Sequence, residues 1–160
     1  MRNALLLSLL ALVAVPACAA QSAAQFQPQQ LRGFERREIA IERRDGRDSI
    51  LAWLALTPAQ QQQGLMWIRT LPRDAGMLFM HREPRHMDMW MKNTNVPLDM
   101  LFFDREGRVT HIHRGAVPQS EALISSGGEV AGVLELLAGE VDRRGIRTGD
   151  RIVLPRLPGY

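Results

Sequence analysis

Cysteine is nearly absent: the single one, Cys18, stands ahead of every segment patterned for a core. The folded part therefore has no internal disulfide and no thiolate to serve as nucleophile or metal ligand. Its stability has to come from buried apolar surface. Some 140 residues beyond the first 20 suffice for one domain burying roughly 68 percent of its unfolded surface. Long hydrophobic runs are missing too. The apolar stretch from Ala4 to Val15 ends at Pro16, well short of the roughly 20 residues that a membrane-spanning helix needs. Lysine is missing apart from Lys92, so arginine supplies the rest of the 20 basic residues. Finally, no basic stripe exists. The formal net charge is +3 and the acids are interleaved with the arginines, a pattern that speaks against nucleic-acid binding. No internal repeat is visible.

What is present begins with an export signature. Arg2, the apolar run and the small residues Ala17, Ala19 and Ala20 read as a signal peptide over residues 1–19. Two mature forms follow from it. Cleavage between Ala19 and Ala20 gives a soluble periplasmic protein. Alternatively, Val15-Pro16-Ala17-Cys18 loosely resembles a lipobox, with the signal ending before Cys18 and that cysteine lipidated; Pro16 departs from the usual pattern. The expected location is the periplasm or envelope, with membrane contact only through such a lipid. Residues 20–34, rich in Gln and Ala, predict a flexible tether, and residues 35–157 a single β domain.

Within that domain Ile39 and Ile41 alternate with charged residues, Ile50 to Leu56 is apolar, and Asp45-Gly46 between them signals a hairpin turn with glycine at positive φ. Thr57-Pro58-Ala59-Gln60 carries the signs of a helix start: N-cap, proline at the first position and a capping-box glutamine. Gly64 is placed to end that helix. Strand-sized runs follow at Met77–His81, His86–Lys92, Met100–Asp104, Val109–Arg114 and Val130–Leu137, with turns expected at Asp104–Gly107 and Ser125–Gly128. A second short helix is predicted over Glu140–Arg144, acids first and arginines last, before Gly145. The pattern predicts a mainly β fold: a small antiparallel β-sandwich or partly open barrel with two short helices.

Trp90-Met91-Lys92-Asn93-Thr94-Asn95-Val96-Pro97-Leu98-Asp99 sets one amine, two amides and a carboxylate in a largely apolar setting. Together with Gly64-Leu65-Met66, Gly76-Met77-Leu78-Phe79, Ser125-Ser126-Gly127-Gly128 and Val133-Leu134-Glu135-Leu136, it resembles the bacterial and archaeal family called domain of unknown function 192. The resemblance spans roughly Ile39 to Leu154. It implies a mainly β architecture and points to Lys92, but it implies no reaction. Relatives often carry a basic residue where this chain has Ile68, so any role for that position is in doubt.

The candidate ligand pocket consists of Trp90, Lys92, Asn93, Thr94 and Asp99. A compact ammonium is kept at one position where arginine would otherwise serve, and the excursion from Asn93 to Leu98 is expected to return Asp99 beside Lys92. That segment is either a self-satisfied structural turn or the mouth of a site for a small polar ligand. Met87, Met89 and Met91, alternating in one strand at about 6.8 Å steps, raise a copper site with His86, and His81 nearby; the competing reading is an apolar core face. His111 and His113 read as a solvated pair. The most economical function is a non-catalytic binding or accessory module at the cell envelope, whose partner is a small polar ligand or an envelope protein. No cofactor is expected. The alternatives are a small enzyme using Lys92 and Asp99, and a periplasmic copper-binding protein.

Overall fold

The apolar segments become strands of one curled, mainly β sheet in the computed structural model, which describes residues 22–157. The expected signal over residues 1–19, including Cys18, lies outside the described residues. Strands β1 (Glu35–Arg43) and β2 (Gly46–Ala55) form the expected hairpin, paired from Glu35 with Leu54 to Arg43 with Gly46. Its turn is Arg44–Asp45, and Gly46 does not adopt positive φ. Arg43 instead clamps the corner through Asp45 and Asp48, at 2.6 and 2.8 Å.

Helix α1 (Pro58–Gln63) begins as read. Gln60 N donates to Thr57 Oγ1 at 3.2 Å, and Thr57 N donates to Gln60 Oε1 at 3.0 Å. The chain then crosses to β3 (Ala75–Met89), which pairs with β2 in parallel. This one pair departs from an all-antiparallel sheet, because the segment between Ala55 and Ala75, with α1 in it, is long enough for a crossover. Strand β3 also joins two runs that look separate in sequence. Register shifts after Met80 and after His86 absorb the polar residues between them.

The remaining strands are β4 (Leu98–Phe103), β5 (Val109–Ala116), β6 (Ile124–Leu137) and β7 (Arg151–Val153), with helix α2 (Glu140–Arg144) between β6 and β7. Their order is β5-β4-β6-β3-β2-β1-β7. Ser125–Gly128, expected as a turn, lies inside β6 at a bulge. There Ser126 Oγ accepts from Met87 N at 3.0 Å and donates to Gly128 O at 2.6 Å, so a side chain completes the ladder.

Both faces of the sheet are buried. Ile41, Ile50, Leu54, Leu78, Phe103 and Leu134 belong to an inner cluster, with Val141 and Ile146 from and beyond α2. Trp53, Met77, Phe79, Met100, Phe102 and Val133 belong to an outer one. Residues 22–34 do not behave as the predicted tether. Ala23, Phe26 and Leu31 are buried in the outer cluster, and Phe26 meets Trp53 edge to face at 5.7 Å; apolar side chains spaced along a polar segment suffice to dock it.

The two edge strands meet at one end. Val109 N donates to Asp150 O, Gly149 N to Val109 O and Ile152 N to Gly107 O, at 2.8, 2.8 and 2.7 Å. The barrel is thus closed there and open elsewhere. Gly107 adopts φ +78°, and a Cβ on it would lie 2.1 Å from Ile152 O. Gly107→Ala is therefore expected to lower stability by about 2 kcal/mol or more and to speed amide exchange at Val109 and Ile152. An unchanged denaturant midpoint would show that the seam does not need this close approach.

Candidate functional site

Strand parity decides which polar residues meet. In β4, Leu98 and Met100 face the outer cluster, so Asp99 between them faces inward. It is buried there, with Gly115 N donating to Oδ1 at 2.9 Å, and Gly139 N and Val141 N donating to Oδ2 at 2.9 and 3.0 Å. Gly139 is the N-cap of α2. Asp99 is thus the cap that the helix lacks in its own sequence, and it anchors α2 to the sheet. The expected pairing with Lys92 does not occur. Lys92 is half-exposed, 3.5 Å from Glu121, with its ammonium 5.3 Å from the centre of the Trp90 ring. The enzyme centre built on Lys92 and Asp99 falls with that pairing.

The copper stripe is also altered. Strand β3 ends at Met89, and Met91 sits in the following loop with its N–H donating to Ser120 O at 2.8 Å. Met87 and Met91 are buried in the outer cluster, Met89 packs against it, and His86 is exposed and bonded to Ser125 Oγ at 2.9 Å. Met87 and Met91 are core side chains, and Met89 lies at the edge of the core. Ile68 is likewise core. His111 is exposed and stacks on Phe102, and His113 is half-buried.

Trp90, Lys92, Asn93 and Thr94 do share a place, a cleft between α1 and the loop after β3. Its outer part holds about 460 Å³ between Ala59, Gln62, Gln63 and Met66 on one side and Trp90, Lys92 and Asn93 on the other. Its inner part, about 100 Å³, shares Gln62, Gln63, Met66, Trp90 and Lys92 with the outer part and is further lined by Gln61, Gly64, Phe79, Asp88, Met89 and Thr94. Glu135 stands in its wall.

Glu135 is the residue the sequence reading passed over. In β6 it shares the outer face with Val133, and its register partners are Met77 of β3 and Met100 of β4. It is 4% exposed and has no hydrogen-bond or ion-pair partner among the described residues. Burial alone pushes its carboxyl from the usual 4.5 up to about 8. The available signal was a single acid in the otherwise apolar run Val130–Leu137. Neighbouring Gln61 is fixed in place, donating to Ala55 O at 3.2 Å and to Met80 O at 3.0 Å. Gly64 closes α1 at φ +50° and ψ −138°, outside the expected left-handed helical region, and a Cβ there would press on Phe79 at 3.3 Å.

Around the mouth, three residues other than glycine adopt positive φ, the only ones among the described residues: Trp67 at 66°, Asn93 at 57° and Gln119 at 64°. They are cross-linked. Trp67 N donates to Asn93 O at 2.8 Å, and Gln119 N to Thr94 O at 3.1 Å. Strained backbone held by its surroundings concentrates at functional sites.

The family model of domain of unknown function 192, described as an uncharacterized ACR, matches residues 40–154. The chain belongs to this family. A candidate transcription regulator from Sinorhizobium meliloti 1021 is 43% identical over 79% of this chain and 97% of its own, with a TM-score of 0.74. A protein of unknown function from Novosphingobium aromaticivorans DSM 12444 is 33% identical over 77% and 88%, with a TM-score of 0.75. No curated protein matches the chain.

Two measurements follow from these carboxyls. Asp99→Asn removes at least one charge-assisted bond and sets an amide N–H against backbone donors, so unfolding free energy should fall by roughly 2 to 4 kcal/mol; a loss below about 0.5 kcal/mol in denaturant titration contradicts the capping role. Glu135 behaves oppositely. Below pH 4.5 folded and unfolded chains both hold its proton; from there to about pH 8 only the folded chain does, so this group removes stability as pH rises. Glu135→Gln should therefore be nearly neutral at pH 4 and stabilising by on the order of 4 kcal/mol at pH 9. Parallel stability curves for the two proteins would contradict it.

Proposed function

We propose that this chain is an exported, non-catalytic binding module of the cell envelope, and that a small polar ligand enters the cleft between α1 and the Trp90–Thr94 loop. The observation that carries the reading is the unpartnered, buried Glu135 in the wall of the inner cavity. A carboxyl on a buried face costs free energy unless something bonds to it, and here only an occupant of the cavity can do so. Trp90, Lys92, Asn93 and Thr94 supply the polar and aromatic lining around the entrance, as small-molecule sites do. Export rests on residues 1–19, with Cys18 as the lipidation point in the anchored form.

The name of the S. meliloti relative suggests DNA as a partner. The cleft argues for a different ligand. Glu135 and Asp88 line it, and its one lining cation, Lys92, is engaged by Glu121, which is the wrong sign for a phosphate backbone. Binding is favoured over catalysis because Lys92 is half-exposed and ion-paired rather than desolvated.

The test uses protein labelled at methionine methyls and titrated with a library of small amines, polyols and carboxylates. Ligands of this site should shift Met66 and Met89 while leaving Met80, buried on the opposite, inner face of the sheet, unmoved. A library that moves none of them refutes the cleft. Intact mass of the envelope fraction should show a chain beginning between Cys18 and Gln21; a retained Met1 refutes export.

A further inference from the structure

We propose that the cleft selects a cationic group, an alkyl- or arylalkylammonium, which Glu135 receives as its counter-ion. The inference rests on the binding reading above and adds the chemistry of the ligand. Among the described residues no donor of the protein reaches the Glu135 carboxyl, although it is 4% exposed. Elsewhere the same domain supplies its buried acids generously: Asp99 has three backbone donors, and Glu140 of α2 has Arg143 and Arg144. Glu135 is left open only on its cavity side.

The charges that face it set the sign of the ligand. From the end of β3 the cavity receives Asp88, from the following loop Lys92, and from α1 only the amides of Gln61, Gln62 and Gln63; β4 presents Met100. Lys92 is turned to Glu121 and lies over Trp90, so it does not neutralise the interior. His81, Arg85 and His86 line an adjoining hollow that shares Gln61, Phe79, Asp88 and Met89 but not Glu135. Glu135 is thus the buried acid of the cavity and Asp88 an exposed one at its edge, 3.8 Å from His86 Nε2, so the cavity has an excess of carboxyls and no committed cation. A ligand ammonium balances that excess, and a carboxylate or phosphate worsens it.

The walls fit the rest of such a molecule. About 100 Å³ beside Glu135 is the space of roughly three waters at about 30 Å³ each, enough for an ammonium and its first methylenes. Phe79, Met66 and Met89 offer polarisable surface to those methylenes. The outer 460 Å³, walled by Trp90, Met66 and the stems of Gln62 and Gln63, takes the apolar body. On binding, the ammonium replaces the proton of the neutral carboxyl, and that proton goes to solvent. Affinity must then rise with pH until Glu135 is ionised in the free protein, which occurs near pH 8.

The experiment is calorimetry on the mature protein at pH 6, 7 and 8, with butylammonium and 2-phenylethylammonium as probes and 1-butanol and 2-phenylethanol as neutral counterparts. Repeating each titration in phosphate and in a zwitterionic sulfonate buffer (MES at pH 6, HEPES at pH 7 and 8), which presents no primary ammonium to the site, reads proton release. The expected result is tighter binding of each amine by about tenfold per pH unit below pH 8, with close to one proton released at pH 6. The alcohols should bind at least about tenfold more weakly at pH 8. Glu135→Gln, expected to fold well because it removes a buried acid, should abolish the pH slope and weaken amine binding by at least about tenfold. Alcohols that bind as tightly as amines, or undiminished amine affinity in Glu135→Gln, overturn the cationic assignment while the Met66 and Met89 shifts still support a site. Amines and alcohols that leave both methyl signals unmoved, together with an inert library, overturn the site itself.

Discussion

Because the sheet is buried on both faces, no polar side chain at its centre can turn to water, and each must find a partner in the protein or go without. Asp99 shows the first solution, and Glu140 of α2 repeats it beside the sheet. Asp99 gathers backbone donors from the β5 end and from the start of α2, while Glu140 takes Arg143 and Arg144 and is held below the usual carboxylate range despite its burial. Arg144 also reaches Asp48 and Arg43 shares that aspartate, so α2 is tied to the β1–β2 corner. These acids therefore hold the domain together. Glu135 shows the other solution. In register terms Asp99 opposes Leu136 and Met100 opposes Glu135, so the two acids are adjacent across one ladder yet point to opposite faces.

That opposition separates architecture from site. The inner face closes at the seam where Gly107, Val109 and Ile152 meet, and Asp99, the acid that points into it, has all its donors from the backbone. The outer face is covered by residues 22–34, α1 and the loops around Leu65 and Met91. Irregular covering segments pack less completely than strands on strands, and the cleft lies in that layer. A one-residue slip of β6 would exchange the roles, placing Glu135 among Leu54 and Phe103 and Leu134 in the cleft. The Ser126 bond at the bulge works against such a slip.

Signals confined to a few consecutive residues were legible in the sequence. The capping box at Thr57 and Gln60, the β1–β2 hairpin (its turn expected at Asp45-Gly46 and found one residue earlier) and the charge order of α2 all act within one or two turns of chain. The parallel β2–β3 pair, the fusion of two runs into β3 and the docking of Phe26 on Trp53 depend on contacts far apart in sequence. Half of the site was legible for the same reason. Trp90, Lys92, Asn93 and Thr94 are contiguous or nearly so and line one cleft, whereas Asp99 was assigned by nearness along the chain and parity sent it through the sheet. Glu135 needed a different question, namely why one acid interrupts a buried apolar strand.

The geometry of the mouth bears on how such a site can bind well with so little surface. Trp67, Asn93 and Gln119 each hold a left-handed backbone that costs a side-chain-bearing residue about 1 to 2 kcal/mol, and the bonds from Trp67 N to Asn93 O and from Gln119 N to Thr94 O keep the loops in one arrangement. Thr94, buried between Lys92 and Gln119, fixes the same loop from within. That cost is met in folding, before any ligand arrives. A mouth already ordered loses little entropy on binding, and Gln61, pinned by two backbone carbonyls, has no rotamer left to lose. The one group whose state must change is Glu135, which has a proton to give up and no protein partner to leave. Rigidity in the loops therefore leaves a single carboxyl, Glu135, as the part of the cleft free to change state, which makes protonation the natural variable through which the proposed ligand would act.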